Sequence, residues 1–437
     1  MGRNAHIVSM WIYAAVIRLL AQFGHAKARG WIQMRQGNAA RLIEATEALP
    51  RGSRWMWFHC ASVGEFEQAR PVMEAWRERH PEDAFLLTFY SVSGWNAFAR
   101  RGMPGWRATD HVSALPLDVP GKVNAFLRAA KGASGEAGVR GMLCAKYDVW
   151  PILTSALVEN GVATGVFAAH VIPGRWPFRM GGAFQQAAWR QLSMVSVQTE
   201  TSVEVLRSHG IAAEVHGDPR FDRVLQAVEA HQMDSALEQW VGGRPCLVVG
   251  SGWAPEMEAA LKAWQPGLCA VVVPHEWTAK SIDDLRKKWE ARNAQSVVWS
   301  VCRVTDSRAA IPHGDVLLVD TVGELLGLYA VADIALVGGG FGKGVHNTLE
   351  PAAHGAVVLV GPEVGRFREV KELERAGGLV ICSDEHELTQ QLHRMWSRTE
   401  EVRQAGAIAQ AYARSSSGAG IRIVAAWEKH LASERAS

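Results

Sequence analysis

The sequence predicts an α/β protein of two Rossmann-like domains that face each other across a cleft. Short, continuously apolar runs alternate with longer helical patterns from residue 54 onward, and this alternation occurs twice along the 437 residues. Continuous apolar runs are typical of parallel strands that helices cover on both faces. Ligands of such sheets bind beyond the carboxyl ends of the strands, so we expect functional side chains at those ends.

The predicted strands form two groups, and a helical stretch followed by Gly242-Gly243 lies between them. We expect a first domain over 51–222, a linker over 223–243, a second domain over 244–400 and a helical segment over 401–437, broken at Ser415–Gly418. The predicted strands are Trp55–Cys60, Phe85–Phe89, Met142–Ala145, Ala163–Phe167, Met194–Val197, Cys246–Gly250, Cys269–Val273, Val316–Val319, Ile334–Val337 and Val357–Val360. The predicted helices include Phe66–Arg79, Pro151–Glu159, Arg223–Trp240, Glu256–Trp264, Trp277–Arg292 and Glu324–Ala332.

Composition excludes several classes of protein. The 46 Lys and Arg residues nearly balance the 44 Asp and Glu residues, which argues against a generally basic nucleic-acid-binding protein. None of the six cysteines forms a CxxC pair, and no HExxH or HxH spacing occurs. We therefore predict no metal site, and reduced thiols that fill strands.

The segment 1–50 is basic and partly apolar, and we expect it to contact a membrane. Residues 1–43 carry six Lys or Arg and no acidic residue. Arg18, Gln22, His25 and Arg29 recur at helical spacing, which predicts a basic amphipathic helix lying among lipid headgroups. One alternative is a helix whose apolar side packs on its own domain. A true span is disfavoured, because it needs about 20 apolar residues.

The sharpest glycine cluster, Gly338–Gly344, directly follows the predicted strand Ile334–Val337. A strand, a glycine turn and a helix together point backbone N–H groups at an anion, so the cluster is a candidate for holding a phosphate or a carboxylate. A tight structural turn is the alternative. The cluster is not a Walker loop, since no Ser or Thr follows Lys343.

A helix is predicted to begin near His346-Asn347, which places Asn347 and Glu350 on one face of its first turn. A carboxylate there can accept hydrogen bonds from the vicinal hydroxyls of a sugar. Equally, a glutamate at the start of a helix simply favours the helix dipole.

Glu65 ends the run Ala61–Glu65, which follows the first predicted strand. A carboxylate at a strand end can act as a general base, although a glutamate at the start of a helix is also common. Ser251 and His275 each follow a strand of the second group, so we expect them at the same edge as the glycine cluster. Arg220 is placed either to meet an anion or to form a surface salt bridge.

Several motifs occur in order along the chain: Ser62–Glu65, Asp148 with Trp150-Pro151, Gly217–Asp222, Asp320–Leu325, Leu328–Asp333, Gly338–Pro351 and Phe367–Glu369. Together they resemble the 3-deoxy-D-manno-octulosonic acid (Kdo) transferases of lipopolysaccharide assembly, and the resemblance runs from the N-terminal helix to about residue 382. The chain departs from many relatives at Lys146 and Asp148, at Ala168–His170 and at Pro274–Glu276. These departures bear mainly on the acceptor contacts.

The resemblance implies the GT-B architecture and an inverting glycosyltransferase that needs neither a metal nor a cofactor. The implied reaction moves Kdo from CMP-Kdo to a hydroxyl of a lipid A precursor, with Glu65 as the general base and Asp148 and Arg220 as a supporting pair. The implied donor-side residues are Ser251, His275, Gly339, Gly340, Asn347 and Glu350. Among them, Glu350 is assigned to the ribose and the glycines to the phosphate or the Kdo carboxylate. The implied location is the cytoplasmic face of the inner membrane, reached through the N-terminal helix.

Three other functions stay open from the residues alone. A GT-B enzyme that uses a UDP-sugar explains the His346–Glu350 cluster but leaves Ser62–Glu65 unexplained. A nicotinamide-dependent oxidoreductase expects a glycine fingerprint after the first strand, where only Gly64 stands. A non-catalytic protein at a membrane surface has no use for the carboxylates at positions 65 and 350.

Overall fold

The computed structural model describes residues 2–132, 138–179, 181–302, 311–365 and 367–436. It divides into two compact units. The first holds the residues up to Arg223 together with those from Gly418 onward, and the second holds Val224–Ser417. Each unit contains one parallel sheet with helices, which confirms the predicted fold class.

The first sheet has seven parallel strands in the order β3-β2-β1-β4-β5-β6-β7. Its strands are β1 (Trp55–Cys60), β2 (Ala84–Phe89), β3 (His111–Ala114), β4 (Val139–Ala145), β5 (Thr164–Ala169), β6 (Met194–Val197) and β7 (Glu214–Val215). The five strands predicted here are confirmed, because each centres on a buried apolar run. The edge strands β3 and β7 were not predicted, because neither is a buried apolar run: β7 is two exposed residues, and only half of β3 is buried.

Both faces of the first sheet are covered. Alternate residues of β1 enter two separate buried clusters, Trp55 and Trp57 into one and Met56 and Phe58 into the other. This is the reason why the strand reads as a continuous apolar run. The helices of this part of the chain are α1 (Arg3–Gln22), α2 (Ala26–Arg35), α3 (Asn38–Glu47), α4 (Val63–Arg79), α5 (Val92–Arg101), α6 (Pro120–Lys131), α7 (Pro151–Glu159), α8 (Ala183–Arg190), α9 (Glu200–Ser208) and α10 (Pro219–Ala230).

The chain turns sharply between α1 and α2, at Gly24, whose φ is 90°. His25 caps α2 by accepting a hydrogen bond from the N–H of Ala28, and Arg29 lies within α2. The prediction that Arg18, Gln22, His25 and Arg29 share one helical face is therefore wrong, because a left-handed glycine ends the first helix before the row is complete.

Helix α1 packs along the first unit through one side only. His6, Met10 and Ala14 are buried, and His6 Nε2 lies 2.7 Å from the carboxylate of Asp118. The other side exposes a set of large apolar residues, which we call the α1 apolar face: Val8, Trp11, Ile12, Tyr13, Val16, Leu19, Leu20 and Phe23. By length and composition, this 20-residue helix would suffice to cross a membrane.

The second sheet also has seven parallel strands, in the order β10-β11-β9-β8-β12-β13-β14. Its strands are β8 (Cys246–Gly252), β9 (Cys269–Pro274), β10 (Ser296–Val298), β11 (Val316–Leu318), β12 (Ile334–Val337), β13 (Val357–Val360) and β14 (Leu379–Ile381). The helices are α11 (Ser235–Val241), α12 (Ala254–Ala263), α13 (Ala279–Glu290), α14 (Trp299–Cys302), α15 (Leu325–Leu328), α16 (Leu349–His354), α17 (Arg368–Ala376), α18 (Glu385–Trp396) and α19 (Thr399–Ser415), with a 3₁₀ turn at Tyr329–Val331.

Three predicted helices of this region differ from the structure. The stretch Arg223–Trp240 is two helices, because the side chain of Asp234 caps α11 by accepting the N–H groups of Ala236 and Leu237. The stretch Glu324–Ala332 is only α15 and the 3₁₀ turn. The helix expected near His346-Asn347 starts later, at Leu349.

The final helix, α20 (Ala419–Ala436), returns to the first unit. The carboxylate of Asp222 accepts hydrogen bonds from the N–H groups of Gly418 and Gly420. Trp427 is fully buried beside Gly141 and Gly165 of β4 and β5, where any larger side chain would collide with its ring. The helix break predicted at Ser415–Gly418 is confirmed, and it coincides with the passage from one unit to the other.

Candidate functional site

Glu65 stands in the first turn of α4, just beyond the carboxyl end of β1. Its Oε2 accepts hydrogen bonds from the N–H groups of Ala61 (2.5 Å) and Ser62 (3.1 Å). Together with the Ser62 side chain this forms a capping box, which satisfies N–H groups that no helical carbonyl can reach. Within the described residues, Oε1 of Glu65 accepts no hydrogen bond. One carboxylate oxygen is therefore used in the helix cap, and the other is available to a ligand.

The surroundings of Glu65 favour its protonated form. Burial raises the pKa of Glu65, and the negative charge of Asp148 raises it further, while His59, the Ala61 N–H and Lys146 oppose the shift. The pKa of Glu65 is therefore closer to neutral pH than that of an exposed glutamate, and a general base is most effective when its pKa lies near the working pH.

Asp148 and Arg220, expected as a pair, have different partners in the structure. Asp148 accepts a hydrogen bond from Nε2 of the buried His59, at 3.0 Å. Arg220 contacts Asp218, with its Nε and Nη2 at 2.8 and 2.7 Å from Oδ2. The expected pairing of Asp148 with Arg220 is therefore not observed. Arg220 pairs with Asp218, two residues before it, and Asp148 pairs with His59 of β1.

Three residues other than glycine adopt left-handed backbone near the ends of central strands. They are Lys146 (φ 60°) after β4, Ala168 (φ 54°) near the end of β5 and Ser251 (φ 51°) near the end of β8. Such conformations cost about 1–3 kcal/mol each and gather where function requires a particular chain path. They mark the carboxyl edges of both sheets.

The glycine cluster of the second unit is held by close backbone contacts. A Cβ on Gly338 would lie 2.0 Å from the carbonyl oxygen of Ser251, and one on Gly340 would lie 2.4 Å from the N of Gly361. Gly339 also has a φ of 92°. These three positions require glycine for packing alone, so the structural-turn alternative from the sequence holds for them.

The amide of Gly339 is already occupied by an internal anion. Its N–H donates to Oε1 of Glu256 at 2.9 Å, while Oε2 of Glu256 accepts the N–H of Trp253 at 3.1 Å. Glu256 is fully buried in the first turn of α12, and burial raises its pKa. The expected amide cradle therefore binds a carboxylate of the protein itself, at least at this N–H.

Glu256 occupies in the second unit the position that Glu65 occupies in the first: each lies in the first helical turn after a central strand and accepts the N–H of the N-cap residue of its helix. Sequence reasoning singled out Glu65 and missed Glu256. The signal available for it was a glutamate in the first turn of a predicted helix, directly after a strand of the second group. The two residues differ in burial: Glu65 is partly exposed to solvent, and Glu256 is fully buried.

His275 takes part in a stack of three rings at the carboxyl ends of β8, β9 and β12. Its ring centroid lies 4.5 Å from that of Trp253 and 4.7 Å from that of His346, with interplanar angles of 26° and 27°. Nζ of Lys343 lies 5.7 Å from the Trp253 ring centroid. Burial lowers the pKa of His346, as does the neighbouring His275. The arrangement places a cation near one end of a stack of aromatic rings, a combination suited to a planar base and an anion.

Asn347 and Glu350 interact directly, although not within one helical turn as expected. Asn347 precedes α16, where its Oδ1 accepts the N–H of Leu349 at 3.0 Å and its Nδ2 donates to Oε1 of Glu350 at 2.9 Å. This bond orients the carboxylate of Glu350.

One group of residues in the described part of the chain has metal-ligand spacing: His80, Glu82 and Asp83. Asp83 contacts Arg140 and Trp76, and His80 contacts Glu428. The group lies before β2, at the opposite edge of the sheet from Glu65. These contacts account for its charges, and we assign it no metal.

Comparison with known proteins finds relatives that carry one name. Residues 26–223 match the family model of 3-deoxy-D-manno-octulosonic-acid transferase (kdotransferase). The chain is 27% identical over 397 residues to the 3-deoxy-D-manno-octulosonic acid transferase of Bordetella pertussis, covering 87% of this chain and 88% of that protein. It is 25% identical to the transferase of the same name from Haemophilus influenzae, covering 72% of each chain.

Among solved structures, a protein assigned as a UDP-N-acetylglucosamine 2-epimerase from Listeria monocytogenes superposes with a TM-score of 0.57. The superposition covers 87% of this chain and 97% of that one, at 13% identity, and it shows a likeness of fold alone. Together with the motifs from Ser62 to Glu369, these matches show that the chain is similar to 3-deoxy-D-manno-octulosonic acid transferases over most of its length.

Proposed function

We propose that this protein transfers Kdo from CMP-Kdo to a hydroxyl of a lipid A precursor, with inversion at the anomeric carbon and with Glu65 as the general base. The observation that carries the proposal is the state of the Glu65 carboxylate. One oxygen is fixed by two backbone N–H groups, the other is available, and burial together with Asp148 raises its pKa.

The proposed step balances as follows. The acceptor hydroxyl oxygen attacks C2 of Kdo while its proton passes to Oε1 of Glu65. The bond between C2 and the phosphate oxygen of CMP breaks, and its electron pair leaves with CMP. Because the attack comes from the face opposite to the leaving group, the configuration inverts. The carbon resembles an oxocarbenium ion at the transition state, as in other glycosyl transfers.

The second unit is assigned to the donor. The stack of Trp253, His275 and His346 is proposed to extend onto the planar base of the donor, and Lys343 beside it to provide charge for the phosphate. The Gly338–Gly340 turn, fixed by Glu256, gives this edge a rigid backbone. Glu350, oriented by Asn347, is proposed to accept hydrogen bonds from the ribose hydroxyls, and Ser251 to line the same edge.

The proposal is tested by incubating the purified protein with CMP-Kdo, generated in situ, and a tetra-acylated lipid A precursor. Mass spectrometry of the lipid then counts the Kdo units that are added. We expect addition with CMP-Kdo only. Transfer from a UDP-sugar, with none from CMP-Kdo, would overturn the assignment.

Glu350→Ala is expected to weaken donor binding. A hydrogen bond to a charged group is worth about 1.5–3 kcal/mol, so the KM for CMP-Kdo should rise roughly 10- to 100-fold. The KM for the lipid acceptor should stay within about threefold of the wild-type value, since the change lies on the donor side. Steady-state kinetics with each substrate varied in turn measure both. Glu374→Gln, a change of an exposed glutamate of the same unit that lies outside the motifs, is the matched control. A rise confined to the acceptor KM would contradict the assignment of Glu350.

We also propose that the α1 apolar face lies in the cytoplasmic leaflet of the inner membrane, parallel to its surface. Phe23 is 81% exposed and Ile12 59%, whereas His6, Met10 and Ala14 are buried on the opposite side of the helix. A helix held along its length by its own unit, through contacts such as His6 with Asp118, favours an interfacial position over a span.

Replacing Ile12, Leu19 and Phe23 together by serine should abolish most membrane binding. Each buried apolar side chain contributes about 1.5–3 kcal/mol, so the partition coefficient onto anionic vesicles should fall by at least about 100-fold. Vesicle co-sedimentation at low and high salt measures it. The control is Val322→Ser, which removes an 88% exposed apolar residue of the second unit. Equal binding by the triple variant and the wild type would exclude this face.

A further inference from the structure

A cavity of about 410 Å³ lies in the first unit among α1, α2, α3, α6 and the loop after β3. We call it the α1–α3 cavity. Its walls combine apolar side chains such as Trp11, Trp31 and Leu117 with three cations, Arg18, Arg35 and Lys122. Its volume falls in the range of about 300–1,000 Å³ that is usual for sites binding small molecules. The Kdo transfer chemistry proposed above makes no use of this cavity.

The charges of the cavity are unbalanced. Its lining includes no acidic residue. Among the described residues, no carboxylate forms an ion pair with Arg18, Arg35 or Lys122. The mostly buried Arg35 donates instead to the carbonyl oxygens of Trp31 (3.2 Å) and Tyr90 (3.3 Å), and its guanidinium lies 3.7 Å from the Trp31 ring centroid. These contacts orient the cation but bring no negative charge to it.

Two N–H groups of the cavity wall also have no acceptor. Nε of Arg35 and Nε1 of Trp31 are both buried without a hydrogen-bond partner. Burial lowers the pKa of Arg35 to about 10, so the guanidinium remains charged at neutral pH. A buried cation with unsatisfied donors is costly unless an anion with several acceptor oxygens lies beside it. Phosphate is such an anion, and arginine binds it through paired N–H groups.

The cavity lies toward the same edge of the sheet as Glu65. Tyr90, which accepts from Arg35, directly follows β2, and Leu117 comes three residues after β3. Since β3, β2 and β1 are neighbours in the sheet and adjacent strands lie about 4.8 Å apart, the cavity is about two strand spacings from the end of β1. Trp11 belongs both to the cavity wall and to the α1 apolar face, so the cavity is continuous with the surface assigned to the membrane.

We propose that the α1–α3 cavity binds a phosphate group of the acylated acceptor, with Arg35, Arg18 and Lys122 around the phosphate and an acyl chain passing by Trp11 onto the α1 apolar face. This inference rests on the proposed function, because it assigns the acceptor phosphate. It adds a reason why a transferase whose base lies in the first unit carries a cationic cavity at the same sheet edge.

The first test measures binding alone. Dodecyl phosphate, titrated into the full-length protein by calorimetry below its micellar concentration, should bind with one site per chain. Arg35→Gln and the double variant Arg18→Gln, Lys122→Gln should each raise its Kd by at least about tenfold, the usual loss for a hydrogen bond to a charged group. Because Arg35 is mostly buried, the exposed pair keeps the test valid if Arg35→Gln misfolds. Lys27→Gln, an exposed cation of α2 outside the cavity, should leave the Kd unchanged.

The headgroup is tested with two further probes. Dodecyl maltoside has the same chain without a phosphate, and inorganic phosphate lacks the chain; neither should compete with dodecyl phosphate at tenfold excess. Equal binding of dodecyl maltoside, or an unchanged Kd in both cavity variants, would overturn the proposal.

The second test uses transfer to a tetra-acylated acceptor and to the same acceptor after phosphatase treatment. The cavity variants should raise the KM for the phosphorylated acceptor about tenfold, leave its kcat within about twofold, and leave the dephosphorylated acceptor unaffected. An equal effect on both acceptors, or displacement of dodecyl phosphate by phosphatidylglycerol vesicles with no acceptor discrimination, would overturn it in favour of a general lipid site. Binding of dodecyl phosphate without any Kdo transfer would instead refute the proposed function and leave the anion site standing.

Discussion

Glu65→Gln is expected to lower kcat for Kdo transfer by about 10²–10⁴-fold while the protein keeps its fold and its donor affinity. The reason lies in two separate tasks of this side chain, the helix cap that is observed and the base that is proposed. Glutamine keeps an oxygen that accepts the N–H groups of Ala61 and Ser62, so the capping box survives. It cannot take a proton from the acceptor hydroxyl. Single-turnover kinetics with CMP-Kdo and the lipid acceptor, alongside a thermal melt, separate the two tasks.

The matched control for this change is Glu67→Gln, two residues further along α4. Glu67 contacts Arg70 and Arg223 at the surface, and such pairs contribute about 0–1 kcal/mol, so its loss should leave kcat within a factor of two. Near-normal turnover by Glu65→Gln would remove Glu65 from the mechanism. Loss of both turnover and folding would show that its role is only that of a cap.

The pH dependence gives a second readout of the same residue. A base acts only when ionised, so kcat/KM should fall as the pH drops through the raised pKa of Glu65. Asp148 is one cause of that raised pKa, and Asp148→Asn should therefore move the acidic limb of the profile to lower pH. The stability of the fold depends on pH in the opposite direction from the activity. Because the folded state raises the pKa of this carboxyl, ionisation of Glu65 costs stability as the pH rises through that value.

The fold could be predicted where local pattern and burial agree. Strand β1 matches its predicted bounds because all six of its residues are buried, and a fully buried parallel strand is a continuous apolar run. Strand β7 could not be predicted, because its two exposed residues are held by backbone hydrogen bonds that leave no mark on the sequence. The turn at Gly24 could not be predicted for a related reason. The polar residues on both sides of it continue at helical spacing, although a single left-handed residue redirects the chain.

The site was predictable in its residue types but not in its partners. The position of Glu65 after the first strand follows from the pattern, whereas the choice of which oxygen is occupied depends on the geometry of the helix start. Glu256 reaches the amide of Gly339 across 83 residues of sequence, and no local pattern encodes that contact. The cationic cavity likewise depends on four helices packing at one sheet edge, so Arg35 carries no signal of its own in the sequence.

Glu256→Ala is expected to have the largest effect on the donor side. The carboxylate is fully buried, and its removal leaves the N–H groups of Trp253 and Gly339 without their acceptor. Each unsatisfied buried donor costs about 1–3 kcal/mol, so the free energy of unfolding of the second unit should fall by roughly 2–6 kcal/mol.

Glu256→Gln separates the contribution of charge from that of shape. The amide keeps one accepting oxygen but turns its NH₂ group toward the second N–H donor, so it should cost about 1–3 kcal/mol of stability. Because the Gly338–Gly340 turn and the start of α12 then share a single accepting oxygen, the turn is held less firmly, and the KM for CMP-Kdo should rise by about tenfold or more, with the acceptor KM unchanged. Glu258→Gln is the control, since Glu258 lies on the same helix in a partly exposed pair with Lys288. Denaturant unfolding followed by tryptophan fluorescence gives the stability, and steady-state kinetics give the KM. If Glu256→Gln bound the donor as the wild type does, the turn would be rigid without its carboxylate, and the donor-side assignment of Glu256 would fail.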